Sequence, residues 1–151
     1  MFKIRKAGKE DLHLTFSLVK NLLIELGDEA KDLEKVDKLQ YSQIDINNLE
    51  THFVFLVEDE GEAVGIITLS ECFAVYTGGN YGIINEMYVL PEYRNKNIGA
   101  ILIDKTKEIA AERNWGRIDV TTPVEKRWER TKSFYLKQGF EFTGEKLKFD
   151  L

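Results

Sequence analysis

Cysteine, proline and histidine are nearly missing from this chain: its 151 residues hold one cysteine, Cys72, two prolines, Pro91 and Pro123, and two histidines, His13 and His52. A lone cysteine excludes an internal disulfide framework. The two histidines have no metal-ligand spacing, so no metal is expected, and packing or surface roles are the reading for both. No apolar run reaches the roughly 18 to 20 residues needed to cross a bilayer, and Met1 to Lys9 lacks the apolar centre of a signal peptide. A membrane role is therefore not expected, and the chain reads as cytoplasmic. A net charge of −5 leaves no broad basic surface of the kind that binds nucleic acid. What is present, 43% hydrophobic and 31% charged residues, is the balance of a folded globular protein. With no repeat, low-complexity tract or linker, residues 1–151 are read as one domain.

Periodicity supplies the elements. Phe2 to Lys6 alternates as a short strand, and Leu12, Phe16, Val19, Leu22, Leu23 and Leu26 recur at helical spacing until Gly27. The spacing predicts a weaker helix over Lys38 to Leu49, a strand over Phe53 to Glu58, a turn at Asp59-Glu60-Gly61, and a long strand from Ala63 to Tyr76. Gly78-Gly79-Asn80-Tyr81-Gly82 lacks the lysine and helix of a phosphate loop and reads as a hairpin turn leading into the strand from Ile83 to Val89. A helix from Ile98 to Asn114, a strand from Arg117 to Thr121, a helix from Glu125 to Gln138 and a hairpin of Phe140 to Thr143 with Leu147 to Leu151 complete the chain. The expected fold class is α/β with an α+β mixed sheet, in the order β-α-α-β-β-β-α-β-α-β-β.

The segment Arg94-Asn95-Lys96-Asn97-Ile98-Gly99 joins the strand ending at Val89 to the helix beginning near Ile98. A loop entering a helix turns unpaired N–H groups toward one point, where the positive end of the helix dipole adds to their pull on an anion. Arg94 and Lys96 supply positive charge, while Asn95, Asn97 and Gly99 tolerate unusual backbone angles. Such a loop suits phosphate, and a surface loop capping a helix has the same composition. Glu25, Asp28, Glu29, Asp32, Glu34 and Asp37 form an acidic run, read either as a solvated face or as a rim that attracts amines.

The stretch from Glu86 through Met87, Tyr88, Val89 and Arg94 to Ala100, taken with Ser133-Phe134-Tyr135-Leu136-Lys137-Gln138-Gly139-Phe140, resembles the GNAT family of N-acetyltransferases. The order of elements agrees with that family along nearly the whole chain. The pyrophosphate-loop pattern is met at Arg94 and Gly99, with Asn97 in place of its first glycine. Trp128 and Thr131 stand where many relatives carry an asparagine and an alanine.

The resemblance implies acetyl-CoA as cosubstrate, no metal, and the primary amine of a small acceptor; since helix 1 and its following loop line the acceptor side in that family, the acidic run from Glu25 to Asp37 favours a cationic one. A catalytically silent acyl-CoA-binding or sensing module and a protein or peptide N-acetyltransferase stay open beside it. By the same resemblance, the backbone of Met87, Tyr88 and Val89 pairs with the pantetheine arm. Arg94, Asn95, Lys96, Asn97, Ile98, Gly99 and Ala100 hold the pyrophosphate, and Tyr135 protonates the departing thiolate. Glu86, on the same strand and expected on the opposite side from Asn85 and Met87, is the leading general base. Glu71 is a weaker candidate for a base or for binding a cation. Cys72 has no histidine nearby in sequence to activate it, so a covalent acyl intermediate is not expected. A homodimer, common in that family, rests on the resemblance alone.

Overall fold

The computed structural model describes residues 1–151. In chain order the elements are β1 (Lys3–Lys6), α1 (Leu12–Glu25), α2 (Ala30–Tyr41), β2 (His52–Asp59), β3 (Glu62–Ala74), β4 (Gly79–Val89), α3 (Ile98–Glu112), β5 (Ile118–Val120) and α4 (Glu129–Lys137). They fall into two compact units, Met1–Asp119 and Val120–Leu151.

One five-stranded sheet has the order β1-β2-β3-β4-β5. The first four strands form an antiparallel meander. Gly116 N donates to Asn80 O and Gly82 N to Arg117 O, so the bonds advance together along both segments as β5 comes alongside β4. That common direction is the parallel crossover expected of a strand, helix and strand.

Strand alternation sorts side chains onto two faces. On one lie Val54, Leu56, Ile66 and Tyr88, packed with Ala7 and with Leu18 and Val19 of α1. The other faces α3, whose Ile98, Leu102, Ile103, Thr106 and Ile109 are buried. A Cβ on Gly65 would stand 2.8 Å from Ile98 Cγ2, which shows how closely α3 approaches β3. Each such aliphatic side chain taken out of water contributes about 1.5–3 kcal/mol.

α1 ends where its sequence predicts, at Gly27, whose φ of 81° only glycine adopts without strain. α2 starts eight residues before the expected Lys38 and stops at Tyr41. The acidic run is therefore largely helix. Glu29 and Asp32 sit at its N-terminal end, where the dipole favours them, and few apolar residues betray its period. Beyond α2, Asn47 is fully buried, donating to Gly8 O at 2.7 Å and accepting from Thr15 Oγ1, which anchors the loop that returns to β2.

In the second unit the expected terminal hairpin is absent: residues 140–151 form no strand. Phe142, Leu147 and Phe149 alternate as a strand would, yet each is mostly exposed. Alternation orders side chains, but a strand exists only where a neighbour takes its N–H and C=O groups, and the pattern supplies no partner.

Candidate active site

Between Thr68 and Leu69 the register of β3 against β4 slips, because Thr68 faces Glu86 while Leu69 faces Ile84. Asn85 is the extra residue. A bulge of this kind puts two consecutive side chains on one face. Asn85 Nδ2 accordingly donates to Ser70 Oγ at 2.6 Å, on the face that carries Thr68 and Glu86. The expectation that Glu86 and Asn85 lie on opposite sides fails for this reason; Met87, opposite Ile67, does point the other way.

Thr68 Oγ1 donates to Glu86 Oε2 and accepts from Glu86 N at 3.1 Å, so one buried hydroxyl fixes both ends of the residue. No cation is paired with the carboxylate. Burial raises Glu86 from its ordinary value near 4.5 to about 7, because a charged carboxylate is poorly solvated there. This acid is thus poised to take or give a proton at neutral pH.

Glu86 and Thr68 line a cleft of about 320 Å³ whose other walls come from α1, α2, the loop after α2 and His52. His52 Nδ1 lies 2.7 Å from the carbonyl of Ile46, so a neutral ring bonded there keeps its proton on Nδ1 and leaves Nε2 an acceptor. The sequence reading gave His52 a packing or surface role. Its place two residues before Val54, on the same face of β2, is the signal that would have found it.

At the far end of β4, Leu90 N donates across to Val64 O. Antiparallel alternation then turns the backbone groups of Met87 and Val89 away from β3. Only three residues of β5 accompany the eleven of β4, and they begin beside Gly82, so Met87 and Val89 lie past the reach of that strand. Tyr88 points to the opposite face, buried beneath the guanidinium of Arg94, which sits 5.5 Å from its ring centre.

A short 3-10 turn, Pro91–Tyr93, leads into the loop. Asn95 and Asn97 both take left-handed angles, φ 66° and 65°, the conformation asparagine tolerates best after glycine. Asn97 is the cap of α3 but its side chain caps nothing, and no acid stands in the first turn. The N–H groups at Ile98, Gly99 and Ala100 are those a helix cannot satisfy internally, and here the dipole is left unneutralised. Ile98 is buried and anchors this end, while 91, 92 and 94–97 are exposed.

Arg94 departs from expectation in one respect. Its guanidinium forms a two-bond pair with Glu25 at 2.8 and 2.7 Å, and its Nε donates to Val89 O at 3.0 Å. The side chain ties the loop to the end of α1, while Lys96 lies 4.8 Å from the ring centre of Tyr93 and has no ion pair.

Glu71 lies on the α3 face. Arg113 donates to both its oxygens at 2.7 and 2.8 Å, and Trp115 Nε1 donates to it as well, so its carboxyl is held below the usual range. Glu71 is structural. Trp115 in turn lies against Gly82, where any Cβ would stand 2.1 Å from the indole, which is why glycine is required there.

The second unit carries Tyr135 on α4, buried and edge-on to Phe134 and Phe140 with ring centres 5.2 and 5.4 Å away. Burial pushes its phenol well above the usual tyrosine value, since the phenolate would be poorly solvated. Trp128, just before α4, has a buried Nε1 without a hydrogen-bond partner.

The family model described as acetyltransferase (GNAT) family matches residues 19–140. The chain belongs to the GNAT family. This member is 42% identical over 62 residues to an uncharacterized N-acetyltransferase of Archaeoglobus fulgidus, covering 40% of this chain and 42% of that protein. It is 27% identical over 95 residues to an uncharacterized N-acetyltransferase of Bacillus subtilis strain 168, covering 62% of each. The matched stretches thus span less than two thirds of these relatives. A predicted acetyltransferase from Clostridium acetobutylicum, solved with acetyl-CoA, shares the GNAT fold with a TM-score of 0.83 at 24% identity over 99% of this chain and 96% of that one.

Proposed function

We propose that this GNAT acetyltransferase moves acetyl from acetyl-CoA to the primary amine of a small acceptor by direct attack in a ternary complex. Glu86 carries the reading. It is a carboxyl at about 7 in an acceptor-sized cleft, on the strand that runs into an uncapped helix start.

The residues fit acetyl-CoA. Left-handed Asn95 and Asn97 bring the loop backbone round to the bare N–H groups of Ile98, Gly99 and Ala100, a cradle suited to pyrophosphate. Met87 to Val89 would pair with the pantetheine arm as an added strand would. Arg94 would act through its tie to Glu25, holding the loop in place, while Lys96 supplies charge. When bound, the cosubstrate supplies an activated thioester.

The remaining chemistry belongs to side chains and backbone. Only a neutral amine is nucleophilic, and Glu86 would take its proton. The N–H of Val89 or a neighbour would polarise the acyl oxygen. Tyr135 would protonate the leaving sulfur, a role given by the resemblance and supported by the burial that keeps its phenol protonated. Positioning does most of the work.

The test is release of free thiol from acetyl-CoA against polyamines, aminoglycosides, amino acids, apolar amines and peptides. Replacing Tyr135 by Phe should lower turnover with acetyl-CoA affinity nearly intact, and an unchanged rate would remove its role. Tight acetyl-CoA binding with no thiol release for any amine would favour a silent binding module.

A further inference from the structure

The geometry points to an acceptor whose amine is carried on an apolar body, an arylalkyl or alkyl primary amine, and away from a polycation. This rests on the acetyltransferase reading and names the substrate class of the same site. Seven of the ten residues lining the cleft are aliphatic or aromatic. Phe16 and Val19 form its inner wall, while Leu39, Ile44 and Leu49 line it and each keep more than 40% of their surface exposed. Three large apolar side chains left open around one acid form a surface that an apolar ligand would cover.

The polar groups agree. Thr68 gives its hydroxyl to Glu86, and Nδ1 of His52 is taken by Ile46 O, so one carboxyl and the neutral Nε2 of His52 remain to meet an amine. The second and third ammonium groups of a polyamine would lose hydration in this cleft with no acid to replace it. Of the acidic run, Glu25 is paired with Arg94, Asp37 with Lys20 and Glu29 with Lys31, and none of its acids lines the cleft. Apolar walls also favour the neutral amine over the ammonium, which is the form that attacks.

The inference is tested by kcat/KM for propylamine to hexylamine, 2-phenylethylamine, spermidine and an aminoglycoside, measured by thiol release. Expected is a rise of roughly fourfold per methylene along the alkyl series, with 2-phenylethylamine at least about tenfold above spermidine. Leu39→Glu, at an exposed position where folding should survive, should lower kcat/KM for 2-phenylethylamine about tenfold and raise that for spermidine; Ile44→Glu serves if Leu39→Glu misfolds. A flat alkyl series or a preference for spermidine, with thiol released, overturns the acceptor class and leaves acetyl transfer standing. If no amine releases thiol, NMR titration with 2-phenylethylamine decides: shifts at the Leu39, Ile44 and Leu49 methyls support the cleft's ligand class, and their absence overturns it. Calorimetry with acetyl-CoA then reports separately on the parent reading.

Discussion

The two faces of the sheet each carry one strand acid, and they treat it in opposite ways. On the α3 face, Glu71 meets Arg113 and Trp115 and is held ionised. On the other face, Glu86 meets one threonine hydroxyl and an apolar cleft, and is raised to about 7. Both acids are partly exposed, and what separates them is the depth of burial of the carboxyl and the supply of donors. A buried carboxylate given a guanidinium becomes part of the scaffold, and one denied it becomes a proton acceptor tuned to neutral pH.

Removing the tuned acid should have the largest effect. Glu86→Gln should lower kcat about a hundredfold or more at pH 7.5, the scale of a lost general base. The wild-type rate should rise with pH to a plateau above about 7, since only the ionised carboxylate accepts a proton, and the variant should lose that limb. Stability should move the other way. Folding raises this pKa from near 4.5, so the folded chain holds the proton more tightly, and wild-type stability falls as pH rises between about 4.5 and 7. Denaturant melts should therefore find Glu86→Gln more stable than wild type by about 2–3 kcal/mol at pH 8, with the gap closing near pH 4.5. Equal stability at pH 8 would mean that the carboxylate is not strained.

The scaffold acid should show the converse. Glu71→Gln leaves Arg113 with a neutral partner, and because Arg113 is partly exposed and screened by water the variant should lose only modest stability in a denaturant melt. The midpoint of the rate profile should stay near 7. A shifted midpoint would show that the two faces are coupled and that the contrast between them is too sharply drawn.

Thr68→Val sharpens the comparison further by taking away the one donor Glu86 has. A hydroxyl that donates to a carboxylate favours its charged form, so its loss should move the rate midpoint upward by roughly half to one pH unit. A downward shift would assign the hydroxyl the opposite role.

Much of this was legible in the residues. The meander, the crossover to β5 and the helix after the loop followed from period and turn chemistry, because those signals are local. The loop was read from its residues and its place before a helix, and Glu86 from its place on the strand. Three things were hidden for physical reasons. The bulge at Asn85 adds a residue without changing composition, so strict alternation put Asn85 on the wrong face. α2 is so polar that its acids masked the helix before Lys38 and with it Val36, a wall of the cleft, although Leu39, Ile46 and Leu49 read as inward from the sequence. The pairings of Arg94 with Glu25 and Glu71 with Arg113 span 69 and 42 residues, beyond any sequence window. The terminal hairpin was the reverse error, a local pattern without a partner.

The smallest predicted effect concerns Asn97, where the loop departs from the glycine of the family pattern. Its φ of 65° shows that the position needs the left-handed conformation, which asparagine tolerates and glycine adopts freely. Its side chain caps nothing, so removing it forfeits no cap. Asn97→Gly should therefore tighten acetyl-CoA binding a few-fold in calorimetry, by clearing side-chain atoms from the cradle, with stability changed by less than about 1 kcal/mol. Asn97→Ala separates the two causes. It clears the same polar atoms but keeps a Cβ at positive φ, so it should lose about 1 kcal/mol in a melt. If Ala tightens binding as much as Gly, crowding by the amide was the whole obstacle; if only Gly does, the backbone angle sets the geometry of the phosphate site. A weaker affinity in both variants would make the Asn97 side chain a ligand in its own right.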